Sequence, residues 1–529
     1  MNKNNTWGGV SYSKGFTLIE LLAVIVILAI IALIATPIVL DIIEDSKNSS
    51  IKRSTELYLD AVEQAIATSV MNDGLEDGTY IIDSKGNLKY KDKTIKVNIK
   101  NYNFESGTVI IEQGQIKDIK LSNNEKVTTG KELNKIDKWD GKTVKEVIPD
   151  SNGIYHITKA SELAWVAQQV NSGETFEGKT ISLDTSLDLG GRYDKDGNKL
   201  GTEWIPIGAS SSQVNSFKGT FEGNNNVISG IYIKKLTSKI ENSYENVMLG
   251  LFGYIDSAII NNLIIMNSYV EGYADAGIFI GFCRNSNINN IVILNSTIYA
   301  DLQVGLVVGL STSNDINNIY VYDGKVKGKT SSIGGAIGEM RKTKLNYAYG
   351  NSTVENSGTE ELSATGGIVG VSTDNSSSSN LTSEAIVVGN SGLGGVIGQF
   401  QKGSTLTDSV SYAKVNGIGN LGGIIGVSSG TPDKNVLNNI KSYSKLHGDG
   451  EYIGGIIGLL SIENDLINIY SKSEIKGKNK VGGVIGGFYD NRVILNYKNL
   501  ISESTLEGET NVGELWGYAD PSSTINKLD

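Results

Sequence analysis

The sequence is poor in cysteine, histidine and proline. Its one cysteine, Cys283, cannot form a disulfide within the chain. It has two histidines, His156 and His447, which are few for a histidine-based metal site or catalytic triad. A net charge of −11 argues against nucleic acid as the main partner. With 529 residues, 63 of them glycine, the chain has room for two or three domains and must gain rigidity from something other than disulfides.

The longest apolar run lies near the N-terminus. Residues 21–40 carry no charge, and at about 1.5 Å per residue a helix of this length spans the apolar core of a bilayer. Glu20 lies at the start of the run, where an unpaired carboxylate in an apolar environment costs on the order of 3 kcal/mol of free energy. The position predicts that Glu20 has a partner or a function.

This segment resembles the N-terminus of type IV prepilins, which have a basic leader ending in glycine and then an acid-containing apolar helix. Gly15, Phe16, Glu20 and Pro37 carry the resemblance. It implies cleavage after Gly15 by a prepilin peptidase, N-methylation of Phe16, and helix packing with other pilins in which Glu20 neutralises a neighbouring α-amino group. The alternatives are a secretory signal, whose apolar core would precede the cut, and a plain membrane anchor.

The rest of the chain divides into further segments. Leu59, Val62 and Ile66 form an apolar stripe that extends the helix to about residue 72, and residues 107–121 read as a β-hairpin. We therefore expect a leader (1–15), a transmembrane and filament-core helix (16–72), a pilin head sheet (73–130), a linker (131–150), a solenoid cap (151–232) and a solenoid (233–529). The cap begins with a helical segment and then strands, which resembles the start of GLUG-motif proteins.

A Gly-apolar-apolar-Gly element recurs at intervals of 28 to 32 residues from residue 250 onward. The repeats resemble the GLUG motif of bacterial surface proteins, and they predict an all-β, β-helix-like solenoid of about ten coils after an α+β pilin module. A propeller needs about 40 residues per blade, so we reject it. The final glycines are Gly253, Gly281, Gly309, Gly338, Gly370, Gly398, Gly426, Gly458, Gly486 and Gly517.

A second register of polar residues runs through the same repeats. Asparagines at equivalent places in successive coils can bond side chain to side chain, so we predict a stacked ladder. Its members are Asn262, Asn290, Asn318, Asn346, Asn380, Asp408, Asn439, Asn468 and Asn499.

Three of the nine glycine intervals are longer than the others, and insertions in a solenoid form loops that often bind ligands. Neutral surface variation is the alternative. The candidate binding residues are Asp374, Asn375, Thr431, Asp433, Tyr489 and Arg492. Residues 194–198 resemble the start of a calcium loop, but Ile205 occupies the twelfth position, where a carboxylate is required, so an Asx-rich turn is the preferred reading.

The sequence thus predicts a minor type IV pilin, anchored in the cell membrane and then assembled into a surface filament. Its solenoid would bind a host, matrix or glycan ligand at the tip of the filament. An assembly-initiating minor pilin or a secretion pseudopilin is the alternative. A glycan-processing enzyme is the third candidate, although charged residues such as Asp301, Lys325 and Lys434 occupy non-equivalent repeat positions. We expect no enzymatic activity, cofactor or metal.

Overall fold

The chain forms two compact units, residues 1–135 and residues 136–529. The computed structural model describes residues 54–55, 58–59, 61–62, 65–66, 69, 76, 78–83, 85–91, 93–99, 104, 106–112, 115–123, 126–129, 132–135, 137–209, 215–235, 248–330, 332–358, 364–430, 433–489 and 493–529. The leader and most of the expected N-terminal helix lie outside these residues. Strands are numbered below in chain order.

The first unit contains a small antiparallel sheet, which confirms the sheet expected here. Its strand order is β3-β2-β1-β4-β5-β6-β7, and β4 and β5 form the predicted hairpin. Leu59, Val62 and Ile66 are helical and pack against the buried side chains of Val109 and Leu121. The strands are β1 (Gly78–Ile82), β2 (Leu88–Tyr90), β3 (Lys93–Ile95), β4 (Ser106–Glu112), β5 (Gln115–Asn123), β6 (Lys126–Thr129) and β7 (Glu132–Lys135).

The second unit is a β-solenoid whose coils each contribute one strand to four parallel sheets, called I to IV in the order in which the chain visits them. Sheet I contains β14 (Phe252–Asp256), β18 (Ile280–Arg284), β22 (Val308–Thr312), β26 (Ile337–Arg341), β30 (Val369–Thr373), β34 (Ile397–Gln401), β38 (Ile425–Ser429), β42 (Ile457–Leu460), β46 (Ile485–Phe488) and β50 (Trp516–Tyr518).

Sheet II is the longest sheet and begins before the glycine repeats. It contains β9 (Ile154–Ile157), β10 (Thr180–Leu183), β12 (Thr220–Ser229), β15 (Ile259–Met266), β19 (Asn287–Leu294), β23 (Asp315–Tyr322), β27 (Lys344–Gly350), β31 (Ser377–Ser383), β35 (Thr405–Ser411), β39 (Asn435–Ser442), β43 (Asn464–Ser471), β47 (Ile494–Ser502) and β51 (Thr524–Lys527), with β8 (Asp137–Lys138) and β11 (Leu187–Asp188) beside them.

Sheets III and IV complete each coil. Sheet III contains β13 (Tyr232–Lys234), β16 (Tyr269–Glu271), β20 (Thr297–Tyr299), β24 (Lys325–Gly328), β28 (Thr353–Asn356), β32 (Ile386–Val388), β36 (Lys414–Gly417), β40 (Lys445–Gly448), β44 (Glu474–Lys476) and β48 (Thr505–Glu507). Sheet IV contains β17 (Ala276–Gly277), β21 (Val304–Gly305), β25 (Ile333–Gly334), β29 (Thr365–Gly366), β33 (Ser391–Gly394), β37 (Gly419–Gly422), β41 (Glu451–Gly454), β45 (Asn479–Gly482) and β49 (Thr510–Gly513).

The solenoid has about twelve turns, more than the ten expected from the glycines. The difference arises because β9, β10 and β12 precede the repeats and already pair in parallel as part of sheet II. Helix α1 (Ala160–Asn171) follows β9 and buries Leu163, Val166 and Val170 in the solenoid core. The segment expected to cap the solenoid therefore also supplies its first turns.

Two apolar cores run through the coils. The main core extends from Trp139 to Leu495 and is filled by stacked Ile, Val, Leu and Phe side chains. A smaller second core begins at Ala385 and lies between sheets III and IV, where residues such as Val415 and Leu421 pack. Parallel pairing between coils and these continuous cores give the described part of the solenoid a source of rigidity that needs no disulfide.

Candidate interaction surface

The predicted repeat glycines occupy the second position of the sheet I strands, where neighbouring backbones approach closely. A Cβ added to Gly309 would lie 2.5 Å from the backbone nitrogen of Ala276 and 2.7 Å from the carbonyl oxygen of Gly281. The equivalent positions Gly338, Gly370 and Gly426 face similar backbone contacts. The glycines therefore allow each coil to lie on the one before it, and their role in the described residues is packing.

The predicted ladder residues lie in the middle of the sheet II strands, and most have a left-handed backbone. The φ angles are 56° at Asn262, 58° at Asn290 and 54° at Asn499. Nδ2 of Asn290 donates to Oδ1 of Asn262 at 2.8 Å, and Nδ2 of Asn499 donates to Oδ1 of Asn468 at 2.8 Å. Asparagine suits this column because its short amide tolerates the left-handed region and bonds to the next coil.

One ladder residue differs from the expected register. Asn346 pairs with Asn317, so the left-handed position in that coil falls on Tyr347, whose φ is 58°. Asn346 still accepts hydrogen bonds from Ser379 and Asn380, both at 2.9 Å. The tyrosine interrupts the asparagine column, while the amide of the preceding residue maintains the hydrogen bonds.

The candidate binding loops occupy the corner between sheets I and II in several coils. Asp374 pairs with Lys402 at 3.3 Å, and the backbone nitrogen of Asn375 donates to the carbonyl of Lys402 at 2.9 Å. Asp433 lies beside the same turn, and Tyr489 is exposed at the equivalent corner of a later coil. Thr431 and Arg492 lie outside the described residues.

The first long glycine interval has its extra residues at a different corner from the candidate residues Asp374 and Asn375. The interval ends at Gly370, and its extra residues lie between sheets III and IV, because β28 ends at Asn356 and β29 begins only at Thr365. In the preceding coil, β24 ends at Gly328 and β25 begins at Ile333. Asp374 and Asn375 thus belong to a turn of nearly ordinary length rather than to an insertion.

The calcium-like segment forms a turn satisfied by its own backbone. Oδ1 of Asp194 accepts hydrogen bonds from the backbone nitrogens of Asp196 and Asn198, both at 2.9 Å. The side chain of Asn198 also donates to this carboxylate and lowers its pKa. Within the described residues, no group of three or more His, Cys, Asp or Glu side chains is arranged to hold a metal ion.

Charged residues that looked scattered in the sequence form pairs between coils. Lys329 pairs with Asp301 at 2.9 Å, and Lys434 pairs with Asp465 at 2.6 Å. His156 lies near two carboxylates, with Nδ1 2.7 Å from Oδ2 of Asp184, which raises the pKa of the imidazole. Pairs of this kind join neighbouring coils.

The outer face of sheet III carries a surface that the sequence analysis did not identify. Tyr412 is 50% exposed, and Ile386 and Val388 are 39% and 37% exposed. We define the sheet III patch as these three residues together with Lys414, Asn416, Tyr443, Lys445 and His447. The last coils of this face contain a shallow depression of about 710 Å³ that includes Lys414, Lys445 and His447.

The patch exists because the strands of sheet III alternate strictly between the second core and solvent. Ala413 and Val415 are buried, so Tyr412, Lys414 and Asn416 point outward. The signal for it in the sequence is the pattern Ser-Tyr-x-Lys, which occurs at residues 411–414 and again at 442–445. Parallel pairing of Lys414 with Lys445 brings the two copies side by side.

Comparisons with known proteins bear on the N-terminus. The prokaryotic N-terminal methylation motif matches residues 10–36, which supports a prepilin-like N-terminus. The motif implies processing by prepilin peptidase, assembly with other pilins, and membrane anchoring before assembly at the surface. Gly15, Phe16, Glu20 and Pro37 lie outside the described residues. No helix among the described residues is long and apolar enough to cross a membrane.

Similarity over the remainder of the chain is slight. No curated protein matches the chain. It is similar to the crystal structure of a putative immunoglobulin A1 protease from Bacteroides ovatus, with 16% identity and a TM-score of 0.33. That match covers 71% of this chain and 87% of the other. A likeness at this level assigns no function.

Proposed function

We propose that the chain is a minor type IV pilin-like subunit whose solenoid is an adhesion or interaction domain, displayed on a surface filament. The observation that carries the proposal is the occurrence, in one chain, of the methylation motif and a solenoid with an exposed aromatic and apolar patch. Exposed patches of this kind are typical of interaction sites. A filament that bore residues 136–529 on every subunit would be crowded, which favours an occasional or tip subunit.

An assembly role is the second candidate, and the same methylation motif supports it. The chain would then initiate a pilus, or a pseudopilus of a type II-like secretion system, and the solenoid would only shape the tip. The proposal includes no catalytic activity, and turnover of a polysaccharide by the full chain would contradict it.

The test uses a strain whose copy of the chain stops after Lys135, the end of the first unit. Filaments per cell and adherent cells per field are counted against wild type. We expect normal filaments and lost adhesion, because the motif and the first unit remain. Lost filaments would instead assign the solenoid to assembly, and unchanged adhesion would remove the interaction role.

A second strain separates the patch from the bulk of the solenoid. It carries the full chain with Tyr412→Ala and Lys414→Gln, both exposed residues of the sheet III patch, so the cores remain intact. Lys325→Gln serves as the matched control, because Lys325 is exposed in the same sheet outside the patch. We expect reduced adhesion only in the double variant.

A further inference from the structure

Aromatic side chains follow one another along the edge of the sheet III patch. Tyr412 and Tyr443 occupy the same corner in consecutive coils, with ring centroids 5.3 Å apart and planes only 10° from parallel. The ring of Tyr470 lies 5.9 Å from that of Tyr443. Tyr412 and Tyr443 thus form a stacked pair at a spacing close to the strand separation of about 4.8 Å, and Tyr470 extends it from the neighbouring position opposite Lys441.

Cations lie directly beside these rings. Lys414 and Lys445 are opposite each other in the parallel ladder between β36 and β40. Like charges at directly opposite positions are destabilising. Lys445 is neutralised by Glu474 at 2.8 Å, whereas Lys414 has no ion-pair partner among the described residues. This arrangement leaves a positive position on a chain whose net charge is −11.

We propose that the sheet III patch binds a linear acidic glycan that runs along the solenoid axis. Sugar faces stack on Tyr412 and Tyr443, and a carboxylate or sulfate group is held by Lys414, beside the Lys445–Glu474 ion pair. The inference rests on the proposed interaction role and specifies the ligand class for it.

The shape and chemistry of the patch favour a glycan over other ligands. The depression is shallow and extends over the coils that contain Lys414, Lys445, Glu474 and Thr505, which fits an extended chain rather than a compact molecule. Tyrosine rings offer flat apolar surfaces with a polar edge, which suits the apolar face of a pyranose ring. Charge-assisted hydrogen bonds from lysine would then favour acidic over neutral chains.

The register of the sheet also explains why the ligand would follow the axis. In parallel pairing, equivalent side chains of successive coils lie in straight columns, as Ile386, Lys414, Lys445 and Glu474 do here. A repeating polymer therefore meets the same ring position and the same lysine position in two consecutive coils, first at Tyr412 and Lys414 and then at Tyr443 and Lys445.

The test is a calorimetric titration of the full chain in detergent micelles. The probes are an oligogalacturonate, its fully methyl-esterified form as the uncharged twin, and a heparin fragment as the sulfated arm. We expect an acidic probe to bind, with the ester about tenfold weaker or more, because the ester cannot form charge-assisted hydrogen bonds. Added salt should weaken the acidic probe and leave the ester unchanged.

Variants identify the site on the solenoid. Lys414→Gln and Tyr412→Ala should each weaken binding of the acidic probe about fivefold, whereas Lys325→Gln should leave it unchanged. Circular dichroism verifies that each variant retains its β-sheet spectrum. Equal weakening by all three substitutions would place binding elsewhere and overturn the proposal.

The remaining outcomes separate this inference from the proposed function. Equal affinity for oligogalacturonate and its ester would overturn the acidic class. Failure of both acidic probes to bind, together with lost adhesion after truncation at Lys135, would overturn the glycan and leave the interaction role intact. Unchanged adhesion after truncation would instead remove the interaction role itself.

Discussion

A left-handed residue in the middle of the sheet II strands from β12 to β47 is a regular single-residue feature of the solenoid. Such a conformation costs an ordinary L-residue about 1 kcal/mol or more, whereas asparagine and glycine adopt it readily. Asn290, with a φ of 58°, combines this conformation with hydrogen bonds to Asn262 and Asn225. Backbone preference and side-chain bonding can therefore be separated by substitution.

Replacement of Asn290 should reverse the usual order of strand residues. We expect Asn290→Ala to be about 1 kcal/mol less stable than Asn290→Gly, because both lose the hydrogen bonds and only alanine meets the steric clash. Urea unfolding followed by circular dichroism measures the difference. Asn261, an extended residue of β15, is the control, and there alanine should be the more stable substitution. The same order at both positions would refute the conformational argument.

Asp275 gives the solenoid a pH dependence in the weakly acidic range. Burial, reinforced by the charge of Glu339 and opposed by that of Arg341, raises the pKa of this carboxyl to about 6. An unfolded aspartate titrates near 3.9, so the folded chain binds the extra proton between about pH 4 and pH 6. Stability from this group is therefore full below pH 4 and is lost as pH rises through 6.

The neutral variant Asp275→Asn should remove that dependence. We expect a gain of about 2 kcal/mol in the free energy of unfolding at pH 7.5 and little change at pH 4, because asparagine resembles the protonated acid. Asp323→Asn is the matched control, since Asp323 is also left-handed but exposed. A gain of equal size at both pH values would show that the effect is not one of ionisation.

For single residues, the sequence predicted which residue types recur, but it did not predict every individual position. The interval of 28 residues was enough to assign Asn262, Asn290 and Asn318 to one column. It failed at Asn346, because the left-handed position moves to Tyr347 and only the pairing of β23 with β27 shows the shift. Tyr412 and Lys414 were missed because their importance comes from the neighbouring coil, which is 31 residues away for both.

The coil is the element on which the second unit is built, and its length controls the register. Val369 pairs with Ile397, so removal of one repeat length brings equivalent residues together. Removal of one residue fewer shifts every following side chain, and a shift of one residue exchanges the buried and exposed faces of a strand. A deletion of one full repeat length should therefore leave a solenoid that folds, whereas a deletion one residue shorter should not.

Deletion of residues 371–398 should leave a folded solenoid that is one coil shorter. The new junction joins Gly370 to Gln399 and preserves the alternation of sheet I. We expect a native-like β-sheet spectrum and a cooperative urea transition. Deletion of residues 371–397 is the matched control, and it should give no such transition. A cooperative transition in both would show that the register tolerates slippage.

The number and corners of the coils were harder to predict than their existence. Glycine spacing predicted ten coils, but Ile154–Ile157 and Thr180–Leu183 add turns that carry no such glycine. The interval ending at Gly370 showed that extra residues exist, yet four corners could hold them. Spacing measures the length of a coil, whereas strand pairing is needed to locate a loop within it.

For the second unit as a whole, the single thiol reports on opening of the solenoid. Cys283 is fully buried in the main core, and burial raises its pKa to about 12. Thiolate is the reactive form, so labelling should require the core to open. We expect a thiol reagent at pH 8 to label the folded chain at least about a thousandfold more slowly than the chain in urea.

Two comparisons make that measurement specific. Reducing agent should leave the urea midpoint unchanged, because the chain's one cysteine cannot form a disulfide within it. The variant Cys283→Ala should abolish labelling in both states. Rapid labelling of the folded chain would mean that the coils around β18 open far more readily than a continuous core allows.

The hydrogen bonds that join successive coils lie parallel to the solenoid axis, and this decides how the structure yields to tension. A pull between its two ends acts along these bonds, and the terminal coil is held on one side only. One released coil, such as the 28 residues between equivalent positions of β31 and β35, extends to about 95 Å while the stack shortens by about 5 Å. Under tension the solenoid would unfold one coil at a time. Each released coil would lengthen the chain and absorb part of the applied work while the remaining coils stay folded.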